Sequence, residues 1–129
     1  MVIWRKARSK KISGGKLPVA REKKKRELGG EEVKVKIGSR RILIKRTRGG
    51  GRKVKALSID FANLYDPETK RCEKVKILGV EENPASRHFV RMGVITKGAI
   101  IKTSKGLAKV TNRPSQEGFV NAILLKKEE

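Results

Sequence analysis

The sequence predicts an all-β fold: a compact, mostly antiparallel β-barrel of about six or seven short strands, with a basic N-terminal arm and one short helix. Three observations point there. Val33, Val35 and Ile37 alternate with Lys34 and Lys36, and Val75 and Ile77 alternate with Lys74 and Lys76, the period-two mark of half-buried strands. Turn-forming residues interrupt the chain at close spacing. The length of 129 residues fills one modest core, too little for two full sheets.

Each element follows from local composition. Residues 1–16 read as an arm, because Arg5, Lys6, Arg8, Lys10, Lys11 and Lys16 keep neither a helical nor a strand period and Ser13-Gly14-Gly15 breaks any element. Such a segment orders against a partner; the bland alternative is a solubilising tail. Residues 17–28 fit a short helix, with Pro18 at its start and Gly29 at its cap, and Lys23, Lys24, Lys25 and Arg26 near its C-terminal end. Strands follow from residue 31. Gly38-Ser39 is a two-residue turn of the hairpin kind, residues 40–47 a strand, and Arg48-Gly49-Gly50-Gly51-Arg52 a glycine loop flanked by arginines. Residues 53–61 make the next strand, ending in a turn at Asp66-Pro67-Glu68-Thr69. Strands are expected at 72–80, 88–96, 98–103, 107–111 and 119–125, with loops at 82–85 and 113–118.

Charge divides the chain. Lys+Arg number 34 against 13 Asp+Glu, a formal net charge of +21, of which +17 falls in residues 1–55. So dense a field opposes compaction unless a polyanion neutralises it, and nucleic acid is the commonest polyanion. The expected organisation is a basic RNA-binding arm with a short helix at 1–30 and a β-barrel domain at 31–129. The candidate RNA contacts are Trp4 and the arm cations, then Arg21, the 23–26 cluster, Lys36, Arg40, Arg41, Arg46, Arg48, Gly49, Gly50, Arg52 and Lys53, with Lys45 and Lys55 in the same basic series. In the loop, glycine lets backbone amides approach phosphate while flanking guanidiniums make bidentate contacts. Trp4 suits stacking on a base or anchoring in a protein crevice equally well. Aromatic residues are 4% of the chain; Phe61, Phe89 and Phe119 fall in predicted strands and are expected in the core. RNA would then be read by phosphate placement and shape, with little base-specific readout.

The inventory argues against an enzyme. His88 is the single histidine, between Arg87 and Phe89 with no carboxylate nearby, and reads as a loop or strand-end residue. Cys72, the single cysteine, reads as a small buried hydrophobe, and forms neither an intramolecular disulfide nor a cysteine-rich zinc site. Glu31-Glu32 and Glu81-Glu82 are adjacent pairs, which strands point to opposite faces. Asp66, Glu68 and Glu73 lack the glycine and terminal glutamate of a calcium loop. Gly14-Gly15-Lys16 lacks the upstream glycine, following Ser/Thr and preceding strand of a phosphate loop. No catalytic residue, metal, cofactor or small-molecule substrate is expected. No apolar run approaches the ~18 residues of a membrane span, and the apolar start is too short for a signal peptide, so no membrane partner is expected either.

A resemblance runs nearly the whole length of the chain. It is carried by Ser13-Gly14-Gly15-Lys16, by Lys24-Lys25-Arg26-Glu27-Leu28-Gly29, and by Lys36-Ile37-Gly38-Ser39-Arg40-Arg41. It continues through Arg48-Gly49-Gly50, Lys55-Ala56-Leu57, Asp60-Phe61-Ala62-Asn63, Glu82-Asn83-Pro84-Ala85, the 95–101 segment Ile-Thr-Lys-Gly-Ala-Ile-Ile, and Val110-Thr111-Asn112-Arg113-Pro114. On these motifs the sequence resembles the archaeal and eukaryotic type of small-subunit ribosomal protein eight, in its short archaeal form without the large eukaryotic insertion. It departs where Leu28-Gly29 is followed by Gly30-Glu31 in place of Arg-Pro, and at Gly51, where the family often has asparagine. The resemblance implies a β-barrel bound to small-subunit ribosomal RNA beside neighbouring ribosomal proteins in the cytoplasm. The arm would thread among RNA helices, supporting subunit assembly and translation without catalysis. The alternative is a free-standing basic RNA-binding regulator or RNA chaperone; a chromatin-like DNA-binding protein is weaker.

Overall fold

The computed structural model describes residues 2–3, 10–16, 24, 26 and 28–127. The chain divides into two compact units, Met1–Glu32 and Val33–Glu129.

In the first unit, β1 (Val2–Ile3) pairs antiparallel with β2 (Leu28–Gly29). The helix expected at 17–28 therefore ends in a strand, and most of it lies outside the described residues. Ser13-Gly14-Gly15, expected to break structure, instead closes a small turn. Gly14 takes φ +79, its N–H donates to the Lys11 carbonyl at 2.9 Å, the Lys11 N–H donates to the Gly15 carbonyl at 2.9 Å, and Lys10 bridges to Lys16.

The second unit opens with β3 (Lys36–Ile37), followed by β4 (Arg41–Arg46), β5 (Arg52–Ile59), β6 (Phe61–Asp66) and β7 (Arg71–Glu82). Then come α1 (Arg87–Arg91), β8 (Ile100–Thr103), β9 (Gly106–Val110), α2 (Pro114–Glu117) and β10 (Asn121–Lys127). Five strands close a barrel in the order β10-β6-β7-β8-β9, antiparallel except for the parallel β6–β10 pair. The expected class holds, with five strands in the barrel where about six or seven were expected, because β3, β4 and β5 form a separate sheet. Beside the barrel, β5 is flanked by β3 on one edge and β4 on the other.

Inward residues alternate small with large. Ala62 faces Val75, Ala122 faces both Leu64 and Val110, and Ala108 faces both Ile101 and Leu124. All of them are buried. A five-stranded barrel is narrow, and a methyl opposite a branched side chain lets its walls meet without voids. Each branched residue buried this way contributes roughly 1.5–3 kcal/mol. Val35, Ile95 and Val120, Ile77 of β7, and Ala56 and Ile59 of β5 complete the cluster. Polar groups reaching this core are satisfied: the Thr103 hydroxyl donates to the Gly106 carbonyl at 2.8 Å. Asn83 donates to the Val94 carbonyl at 3.0 Å and accepts from the Ala85 N–H and the Thr96 hydroxyl.

Several expectations are corrected. Gly38-Ser39 does not join a hairpin but carries the chain around the end of β5, from one edge to the other. Residues 53–61 split at Asp60, and β6 is a separate strand. Residues 88–96 are not a strand: the Ser86 hydroxyl caps α1 by accepting the His88 N–H at 3.2 Å, and Gly93 at φ +62 ends the turn. Here an N-cap outweighs the strand-forming composition of Phe89-Val90. The described α-helices are α1 and α2, both in the second unit, while the helix expected at 17–28 lies mostly outside the described residues. Cys72 is exposed on β7, and Phe61 and Phe119 are 40% and 43% exposed, not core residues. For Phe61 the reason is phase, since β6 turns Ala62 and Leu64 inward and leaves Phe61, Asn63 and Tyr65 outside.

One glycine ties the β4–β5 hairpin to the barrel. Gly118, buried, follows α2 at φ +85, donates its N–H to the Pro114 carbonyl at 3.0 Å, and abuts Val54 of β5. A Cβ there would stand 2.6 Å from Val54 Cγ1 and 3.6 Å from its Cβ. Gly118→Ala should therefore destabilise the protein by about 1–3 kcal/mol in chemical denaturation, through overpacking and left-handed strain. Val54→Ala in the same chain should recover the overpacking part alone.

Candidate nucleic-acid interface

The β4–β5 hairpin concentrates the basic residues of the second unit. Its register sets Ile42 opposite Ala56, Ile44 opposite Val54 and Arg46 opposite Arg52 on one face, with Leu43 opposite Lys55 and Lys45 opposite Lys53 on the other. The tip is therefore cationic on both faces. Lys45, Arg46, Arg52 and Lys53 are all exposed, and among the described residues none of them is ion-paired with a carboxylate. Like charges directly opposite on paired strands repel, each pair working against the hairpin by up to about 1 kcal/mol. Two such pairs in sequence are unfavourable in water and favourable against a polyanion.

The connecting loop is one 3-10 turn, Arg48–Gly50, closed by the Thr47 N–H donating to the Gly51 carbonyl at 2.7 Å and the Gly50 N–H donating to the Thr47 carbonyl at 3.2 Å. Gly49 and Gly50 hold φ +80 and +83, a conformation that L side chains adopt only with strain, while a Cβ on either would meet nothing within 4 Å. Glycine serves the turn here, and the space above it is open. Valine at either position would rearrange the loop itself, so the flanking cations are the cleaner probes of contact.

The remaining candidates are placed as follows. Lys36, Arg40 and Arg41 are exposed along β3 and the start of β4. Lys10, Lys11, Lys16, Lys24 and Arg26 are exposed in the first unit. Trp4, Arg5, Lys6, Arg8, Arg21, Lys23 and Lys25 lie outside the described residues. The hairpin thus brings together Arg46, Arg48, Gly49, Gly50, Arg52 and Lys53, with Lys45 of the same basic series opposite Lys53. Sequence reasoning missed the exposed aromatics of β6. The outward phase of Lys74 and Lys76 on neighbouring β7 was the available signal.

Nothing among the described residues resembles an active site. His88 is exposed in α1, and the exposed Cys72 lies opposite Tyr65. Among the described residues no three His, Cys, Asp or Glu side chains group so as to hold a metal ion, and no helix is long and apolar enough to cross a membrane.

Comparison with known proteins adds a family. Residues 4–125 match the model of ribosomal protein S8e. The chain is 45% identical over 126 residues to the small ribosomal subunit protein eS8 of Methanococcus aeolicus, covering 97% of this chain and 98% of the relative. It is also 45% identical over 119 residues to that of Sulfolobus acidocaldarius, covering 92% and 93%. Its match to the one from Sulfurisphaera tokodaii is 46% over 118 residues, covering 91% and 92%.

The repulsion at the hairpin tip has a measurable consequence. Lys53→Glu turns the pair with Lys45 into an attraction. In low salt it should raise the stability of the free protein by up to about 1 kcal/mol in urea unfolding. Added salt should stabilise the unaltered chain more than this variant.

Proposed function

The chain belongs to the ribosomal protein S8e family, whose members are structural parts of the small ribosomal subunit and not enzymes, and we propose that it clamps small-subunit ribosomal RNA with two basic elements, the arm at 1–30 and the β4–β5 hairpin. Within the domain at 31–129, the five-stranded barrel acts as the base from which the hairpin reaches phosphates, among neighbouring ribosomal proteins in the cytoplasmic ribosome. The observation that carries this reading is the double like-charge register, Lys45 against Lys53 and Arg46 against Arg52, without carboxylate partners among the described residues. A fold that needs only its barrel gains nothing from such pairs. A fold that must meet phosphates from either face of a ribbon gains both affinity and orientation, because guanidiniums grip phosphate oxygens bidentately.

Charge of this density sets how binding responds to salt. Each phosphate neutralised steepens the fall of log affinity with log salt by ~0.7–0.9. Changing Arg46, Arg48, Arg52 and Lys53 to glutamine should flatten that slope by the same amount for every phosphate no longer neutralised, in filter binding to small-subunit ribosomal RNA. An unchanged slope would remove the hairpin from the interface. Removing residues 1–30 should flatten it further while leaving a cooperative melting transition for the barrel. Co-sedimentation with small subunits at physiological salt separates this reading from a free-standing regulator, which would remain in the supernatant.

A further inference from the structure

The outer wall of the barrel carries a second surface with a different chemistry. Phe61 and Tyr65 project from β6 and are 40% and 37% exposed; Phe119, 43% exposed, enters β10 at the Phe61 end of the parallel β6–β10 pair. The chain has five aromatic residues, and three of them stand on or beside these two strands. Exposed rings in a chain this polar need a reason, because burial would stabilise the fold and the inward phase of β6 holds only Ala62 and Leu64 as apolar residues.

Around the rings stand lysines, together with the exposed apolar residues Ile123 and Leu125 of β10 and Leu78 of β7. Lys74 on β7 places its ammonium 4.7 Å from the Phe61 ring centre. Lys76 lies directly opposite Phe61, and Lys109 of β9 lies opposite Ile123 of β10, which in turn pairs with Tyr65. No Asp or Glu stands at the outward positions of β6, β9 and β10, or at those of β7 from Cys72 to Leu78; Glu73, which lines the groove beside Tyr65 and Cys72, is ion-paired with Lys105. Between the two rings of β6, Asn63 donates to the side-chain oxygen of Asn121 at 3.0 Å, which leaves further donors and acceptors on both amides. Phe61 and Tyr65 are four residues apart, about 13 Å at roughly 3.3 Å per residue, so the wall presents two separate stacking positions with amides between them.

We infer that this wall, β9-β10-β6-β7, is a second RNA site that takes unpaired nucleotides: one base stacks on Tyr65 and another on Phe61, displacing Lys74 from over that ring to a phosphate, while Lys76 and Lys109 meet further phosphates. Aromatic platforms set in a cationic sheet suit single strands, whose bases are free to leave the helix, whereas the hairpin, with cations and no aromatic side chain, suits duplex backbone. A protein partner would need carboxylates to answer these lysines as well as apolar groups to cover the rings; RNA supplies anion and π-face in every nucleotide. The site rests on the proposed RNA partner but on none of the hairpin residues, and it replaces readout by shape alone with a stacking contribution.

The test uses the full chain with two probes, an eight-nucleotide oligouridine and a blunt RNA duplex. Three variants are compared: Phe61→Ala with Tyr65→Ala, the conservative Phe61→Tyr with Tyr65→Phe, and Lys53→Glu. The double alanine variant should bind oligouridine about tenfold more weakly or worse, and the duplex within about twofold of the unaltered chain. The conservative pair should restore oligouridine binding. Melting temperatures within a few degrees of each other show that the fold is retained, as the outward positions lead one to expect. Ring resonances of Phe61 and Tyr65 should shift on adding oligouridine and stay put on adding duplex. Oligouridine affinity that survives the double alanine change, or that Lys53→Glu alone abolishes, overturns the site and leaves the hairpin reading standing. Ring resonances that move only on adding ribosomal proteins overturn it too, and make the wall a protein-docking face. Duplex binding that Lys53→Glu leaves intact, with oligouridine behaving as expected, would count against the hairpin reading and leave this one.

Discussion

The parallel pairing of β6 with β10 is the contact on which the rest of the second unit depends. Asn63, Leu64 and Tyr65 meet Asn121, Ala122 and Ile123 in register, joining segments nearly sixty residues apart. Without that seam the remaining strands form an open sheet with two bare edges. With it, every strand of the barrel acquires an inside and an outside. The inside is narrow, and the alternation of Ala62, Ala108 and Ala122 with Val75, Leu64, Val110 and Ile101 is what fits it. Side-chain volume is the limiting quantity, and a larger residue at any of the three alanines would press on the neighbouring walls.

Closure also decides what is left over. Once five strands complete the barrel, β4 and most of β5 have no place in its wall, and they extend as a hairpin that still sends Ala56 and Ile59 of β5 into the core. The hairpin is steadied from the barrel side by α2 and Gly118 against Val54, a contact that excludes even a methyl group. Apolar residues stay near that anchorage, at Ile42, Ala56 and Val54, and cations take over toward the tip. The element is rigid where it joins the barrel and electrostatically strained where it ends. Such a gradient suits a structural component of a ribonucleoprotein, in which the partner supplies the missing counter-charge.

Much of this was legible in residue order. Val75 and Ile77 against Lys74 and Lys76 announced a half-buried strand, and β7 has that burial. The glycine loop flanked by Arg48 and Arg52 was legible as a connection in a basic ribbon. Other features were hidden for identifiable reasons. Residues 88–91 carry strand-like composition, yet the Ser86 cap and the Gly93 stop made them helical, and both depend on backbone geometry that composition does not display. Phe61 looked like core because it follows Leu57 and Ile59, but the break at Asp60 resets the phase and turns the ring outward. Gly38-Ser39 carried the signature of a hairpin turn and serves a crossing, because the partner of both flanking strands is β5, still ahead in the chain.

The sequence by itself determined the class of fold, the uneven distribution of charge and the polyanionic partner it calls for, because alternation, turn residues and net charge are local or additive quantities; its ordered run of motifs carried the resemblance to the family. Only the tertiary structure decided which cations face one another, which rings stay in solvent and which strands close the barrel. Those are properties of register and phase between distant segments, and a shift of one residue in either would exchange inside for outside along a whole strand.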